Sequence, residues 1–163
     1  MRTRGLLPAL AYCFAVTLTV FPGMVQDTKF RFMDGWANVE SWFVLTTLTL
    51  YNVFDTVGRW VASWKCMKLS RKTSLWCIYL RTFFIPVIFL VAFEVGPSWL
   101  LNTDCFKILN LILFAFTNGW LSSLCVIMTP EYVKQGERGE IGALINPSMS
   151  VGILIGTVLA VPL

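Results

Sequence analysis

The chain has 163 residues, of which 56% are hydrophobic and only 13% charged, with a mean hydropathy of +0.70. So little polar surface cannot cover a water-soluble globule, and the composition reads as an integral membrane protein. The net charge of +4 comes mainly from Lys and Arg clustered at loop ends, so it speaks of topology in a lipid bilayer, and no nucleic-acid partner is expected.

Five segments are long and apolar enough to cross a bilayer. Leu6–Val25 follows Arg2 and Arg4. It reads as a first span and not a cleaved signal, because it has membrane length and ends in Phe21-Pro22-Gly23 without a small-x-small cleavage pattern. Ser41–Trp64 contains both an acid and a base, Asp55 and Arg59. Leu75–Val95 contains Arg81 near its inner end, where it is expected to snorkel or to reach a carbonyl or acid of the inner loops. The same segment contains Pro86, which should kink or loosen the helix. Phe106–Thr129 carries Asn118 beside Gly119 and a small-residue ridge at Ala115, Gly119 and Ser123. Ile141–Leu163 carries a second ridge at Ser148, Gly152, Gly156 and Ala160, with Asn146-Pro147 as a further local disturbance. The connections are short, so residues 1–163 are read as a single all-α membrane domain of five transmembrane helices.

Basic residues set the orientation. Arg2 and Arg4, then Lys65, Lys68, Arg71 and Lys72, then Lys134 and Arg138 all fall on one side of a five-span chain, which should be cytoplasmic. On the other side, Lys29 and Arg31 are offset by Asp27, Asp34 and Glu40, while Glu94 and Asp104 stand without a base and are expected at the outer surface. The N-terminus is therefore expected inside and the C-terminus outside.

The second span holds the chemistry. An Asp or an Arg at mid-membrane costs roughly 2.5–3.5 kcal/mol on insertion scales. Thr47, Tyr51, Asp55 and Arg59 recur at spacings of four and are expected to line one face, with Asn52, Thr56 and Gly58 beside them. Such a face meets either partner helices or a water-filled cavity. It serves either as an internal ion pair locking the bundle or as a ligand contact. Arg59 has five donors and Asp55 can occupy only some of them, which favours a third party. Asn118 is read either as an interhelical hydrogen bond or as part of the same site. Enzyme chemistry is not indicated: there is no His, no HExxH, no nucleophile elbow, no P-loop and no second acid at depth to pair with Asp55. The cysteines (Cys13, Cys66, Cys77, Cys105 and Cys125) are scattered without a CxxC. No catalytic residue, metal site or cofactor is expected.

These residues resemble the C-terminal half of an equilibrative nucleoside transporter. The matching stretches are Thr17 to Gly23 (TLTVFPG), Tyr51 to Arg59 (YNVFDTVGR), Leu80 to Pro86 (LRTFFIP) and Phe116 to Cys125 (FTNGWLSSLC), then Pro130 and Gly142-Ala143, in family order over nearly the whole chain. The resemblance implies a major-facilitator-like fold of eleven spans, in which this chain supplies the last five. It implies facilitative transport of nucleosides, or of nucleobases, by alternating access; the plasma membrane is the default location. It assigns substrate contact to Asp55 and Arg59 and a cavity-lining place to Asn52, with Tyr51 and Asn118 beside them. A neutral substrate would suit a site whose own charges nearly cancel. The resemblance also implies a missing six-span half, lost by truncation or supplied by a partner. The alternative is a non-transporting truncated protein or assembly subunit in which the Asp55–Arg59 pair is structural.

Overall fold

The computed structural model describes residues 5–21, 30–33, 35, 38–92, 103–133 and 135–161. Arg2, Arg4, Asp27, Lys29, Asp34, Glu94 and Lys134, which entered the orientation argument, lie outside the described residues. Among the described residues the structure is wholly helical: α1 Leu6–Val20, α2 Val39–Ala62, α3 Arg71–Leu80, α4 Phe84–Ala92, α5 Asp104–Glu131 and α6 Arg138–Ala160. The continuous segment Arg71–Ala92 and the helices Asp104–Glu131 and Arg138–Ala160 are each long and apolar enough to cross a membrane. The α1 helix is apolar but shorter at 15 residues, whereas α2 has 24 residues and carries a polar arc. The exposed surface is apolar: Trp60, Trp76, Phe83, Leu154 and Val158 all point outward, the inverse of a soluble protein. This is an integral membrane helical bundle.

The expected helix limits shift in one place that matters. The third segment begins at Arg71, not Leu75, because Ser70 caps it by accepting from the Thr73 backbone N–H at 3.3 Å. Arg71 and Lys72 therefore occupy its first turn, against the helix dipole, and the cap offsets that cost. Pro86 perturbs the segment at the position its chemistry dictates. A proline removes the hydrogen bond to the carbonyl four residues back, here Thr82, and the helix tightens into a 3₁₀ turn over Arg81–Phe83. By contrast, α6 runs unbroken through Asn146-Pro147.

Packing follows the small residues. The α2 helix lies on α5, α5 on α1 and α1 on α6, while α3 and α4 cross α1 and α5. At the α2–α5 crossing the backbones touch. A Cβ on Gly119 would collide with the Asp55 carbonyl and the Arg59 amide, and one on Gly58 would collide with the Phe116 carbonyl and the Trp120 amide. The ridge on α6 seats against α1: a Cβ at Gly156 would stand 2.6 Å from the Ala15 carbonyl, and one at Gly152 would strike Ala11. Both ridges therefore mark real interfaces, at Gly119 and at Gly152 and Gly156.

The core has two main apolar layers. One, at the Leu6 end of α1, gathers Leu6, Ala9, Leu10, Ile78, Leu121, Cys125 and Met128, and the other, at its Val20 end, gathers Val20, Tyr51, Ile88, Leu111, Phe114 and Ala115. Along α1, α5 and the third segment, the turn between the layers holds Cys13 and Thr17, Asn118, and Arg81. Because the atoms facing Gly119 are backbone, relief requires the helices to part. Gly119→Ala is expected to destabilise the bundle by about 1–3 kcal/mol. Gly142→Ala, where a Cβ meets nothing within 4 Å, should leave the thermal unfolding midpoint in detergent unchanged or slightly raised.

Candidate functional site

The helical period explains how α2 divides its polar residues. Four residues advance the helix about 40° beyond a full turn, so a run at spacing four drifts around the axis. Thr47, Tyr51 and Asp55 remain on the buried arc, but Arg59 has rotated to its edge, where Asn52 and Thr56 are exposed. The expectation that Thr47, Tyr51, Asp55 and Arg59 share one face is corrected accordingly: the acid belongs to the interior and the base to the boundary. Their side chains are 10% and 47% exposed, and Arg59 Nε donates to Asp55 Oδ2 at 2.7 Å.

The other carboxylate oxygen is held from inside. Asn118 Nδ2 donates to Asp55 Oδ1 at 2.7 Å across the α2–α5 crossing. The amide orientation is chemically forced, because Asn118 Oδ1 faces donors: Arg81 Nη1 at 3.1 Å and the Thr17 hydroxyl at 2.7 Å. Rotating the amide would set its oxygen against a carboxylate and its N–H groups against a guanidinium. With both oxygens of Asp55 engaged, the carboxylate is fixed. Arg59 commits only Nε among the described residues, and its terminal N–H groups remain for another acceptor.

Arg81 is the residue that sequence reasoning misplaced. It is 1% exposed and lies ten residues into the segment, about 15 Å from Arg71 and so near the middle of a ~30 Å hydrocarbon core. It does not snorkel. Its Nη1 donates to Asn118 Oδ1, to Cys13 Sγ at 2.7 Å and to the Cys13 carbonyl at 3.3 Å. Its Nη2 donates to Thr17 Oγ1 at 3.1 Å and to the Phe114 carbonyl at 3.4 Å, and the guanidinium lies 5.1 Å from the centre of the Phe114 ring. The expected contact with a carbonyl is present, but deep in the bundle. The expectation that the site's charges nearly cancel is also corrected: among the described residues the cluster holds two guanidinium groups and one carboxylate.

The remaining candidates sort by exposure. Tyr51 is buried, stacked on Phe21 with ring centroids 4.1 Å apart and set beside Phe114, so it belongs to the apolar layer at the Val20 end of α1. Asn52 is exposed two turns before Arg59, with its amide donating to the Leu48 carbonyl at 2.8 Å. Asp104 is half-buried at the start of α5 and accepts from the Phe32 amide at 3.0 Å. Lys107, which the sequence reading did not single out, is buried in the first turn of α5, beside Thr47, Asn110 and a cavity of about 20 Å³. Among the described residues no cluster of His, Cys, Asp and Glu could hold a metal ion.

This chain matches the family described as "Nucleoside transporter" over residues 6–163. "Nucleoside transporter 1.2" of Leishmania donovani is 28% identical over 98% of this chain and 31% of its own length. "Equilibrative nucleoside transporter 1" of Mus musculus is 31% identical over 94% of this chain and 35% of its own length. "Equilibrative nucleotide transporter 8" of Arabidopsis thaliana is 27% identical over 90% of this chain and 35% of its own length. The chain thus spans about a third of the length of the curated relatives it matches, and those relatives are named as transporters and not as enzymes. With a match over almost every residue, this chain belongs to the nucleoside transporter family.

Proposed function

We propose that the chain forms one wall of a nucleoside translocation site, working by alternating access together with a six-span half from a longer chain or a partner. The observation that carries this reading is the division of labour on α2: Asp55 is held rigidly by Asn118, while Arg59, Asn52 and Thr56 present polar groups on an exposed edge. Exposed polar groups beside a mid-bundle charge are costly against lipid and useful against a hydrated cavity. Ribose hydroxyls and base edges both donate and accept hydrogen bonds, so an Arg59 fork beside a fixed carboxylate matches a nucleoside or a nucleobase. In this reading Asp55 and Arg59 contact substrate and Asn52 lines the path. Asn118 and Tyr51 support them from behind. The two halves would rock about the central site.

The proposed location is the plasma membrane, with the N-terminus cytoplasmic and the C-terminus extracellular. Lys68 pairs with Glu131 at 3.1 Å, which brings the basic connection after α2 and the far end of α5 to one side, as that orientation requires.

A second reading, in which the pair is only structural, draws on the burial of Asp55 and its bond from Asn118. The two variants separate these readings because their surroundings differ. Arg59→Ala, at a half-exposed side chain, is expected to abolish labelled uridine or adenosine uptake in cells supplying both halves, with surface expression retained. Asp55→Ala should also abolish uptake and in addition destabilise the bundle by about 1–3 kcal/mol, because Asn118 loses its acceptor in the core. Normal uptake by Arg59→Ala at normal expression would establish the structural reading. Proteoliposomes of the purified 163-residue chain alone should show no saturable uptake.

A further inference from the structure

We propose that Arg81 is a positioning residue for the substrate site: it holds the Asn118 amide in the one orientation that puts a donor, and not an oxygen, on Asp55. Arg81 never reaches the exposed edge itself. Its influence passes through a chain of three bonds, Arg81 Nη1 to Asn118 Oδ1 at 3.1 Å, Asn118 Nδ2 to Asp55 Oδ1 at 2.7 Å, and Arg59 Nε to Asp55 Oδ2 at 2.7 Å. Each link orders the next. The Asn118 side chain has two orientations that fill the same space, and only the charge on either side distinguishes them. Arg81 on one side and Asp55 on the other make one of those orientations mutually attractive and the other doubly repulsive.

The arrangement around Arg81 is built for that task. Both terminal nitrogens are engaged: Nη1 with Asn118 and Cys13, Nη2 with Thr17 and the Phe114 carbonyl. The planar fork is thereby fixed on α1 and α5 together, and a lysine ammonium could not make the same contacts from one point. The 3₁₀ turn imposed by Pro86 contains Arg81, so the departure from α-helical geometry falls at the residue whose reach has to be set. Fixing Asp55 in this way leaves Arg59 as the adjustable member of the pair, so substrate meets a carboxylate already in place and displaces only Arg59 from it.

The inference about transport rests on the proposed function, whereas the inference about Asn118 does not, and two measurements keep them apart. In the purified chain in detergent micelles, the two side-chain N–H resonances of Asn118 can be assigned by their loss in Asn118→Leu. One proton donates to a carboxylate, so the two should be widely separated in the wild type. Arg81→Lys should collapse that separation, and Thr17→Val, a milder change at the same amide oxygen, should move it in the same direction by less. Thr157→Val, on the exposed face of α6 with its hydroxyl donating to the Ile153 carbonyl at 2.8 Å, should not move it. An unchanged separation in Arg81→Lys and Thr17→Val overturns the proposal. In uptake assays with both halves present, Arg81→Lys should raise KM about tenfold, the loss of roughly one buried hydrogen bond, with Vmax changed much less. A fall in Vmax and surface expression at unchanged KM would mean that Arg81 is a structural residue and would equally overturn the proposal. Absence of uptake by the wild type in that assay would reject the proposed function, and the resonance measurement would still decide the role of Arg81.

Discussion

A guanidinium buried halfway through an apolar bundle must be hydrogen-bonded, because neither water nor an adjacent carboxylate relieves it. Removing partners from a buried charge costs more than any single apolar contact contributes. That requirement organises the centre of this protein. Arg81 needs acceptors in a plane, and it finds them on two other helices: Cys13 and Thr17 on α1, and Asn118 and the Phe114 carbonyl on α5. The result is a polar layer between two apolar ones, with α2 joined to it through Asp55. The apolar layers supply most of the burial, and the polar layer ties the rotations of the helices to one another, because the acceptors of both terminal nitrogens of Arg81 must face it at once; its Nε has no partner among the described residues.

This layer changes what the ion pair on α2 means. An isolated i, i+4 pair on a helix surface contributes only a few tenths of a kcal/mol. Here the acid is tied directly to α5 and, through Asn118, to α1 and the third segment, whereas among the described residues the base bonds only to the acid. The pair is an anchored acceptor with a free fork at its edge, and the backbone contact of Gly58 and Gly119 holds the two helices at the separation this requires. Sterics and electrostatics thus converge on the same crossing, which is why a methyl group at Gly119 acts on the site through the backbone of Asp55 and Arg59 and not through their side chains.

Much of this was legible in the sequence, and the reasons for the rest are specific. The helical segments, the two small-residue ridges and the cost of Asp55 and Arg59 in lipid follow from hydropathy and spacing. The depth of Arg81 did not, because it depends on where the third segment starts, and the Ser70 cap moves that start four residues outward from the apolar boundary. The shared face on α2 was overdrawn because a spacing of four is not a whole turn. Arg81's partners lie 33 to 68 residues away in sequence, and Thr17 stands 101 residues from the amide it bonds. No local pattern reports such pairings. The family resemblance set TLTVFPG, LRTFFIP and FTNGWLSSLC in chain order but did not say that Thr17, Arg81 and Asn118 meet.

Cys13 gives the polar layer a built-in probe. Its sulfur lies 2.7 Å from Arg81 and is wholly buried, whereas Cys66 and Cys105 are exposed. No thiol reagent can enter that space while α1, α5 and the third segment remain in contact. Alkylation of Cys66 and Cys105 therefore measures reagent access, and alkylation of Cys13 measures how often the helices part. The ratio of the two rates is a clock for breathing of the bundle at its most polar point, readable from the native cysteines without any engineered label.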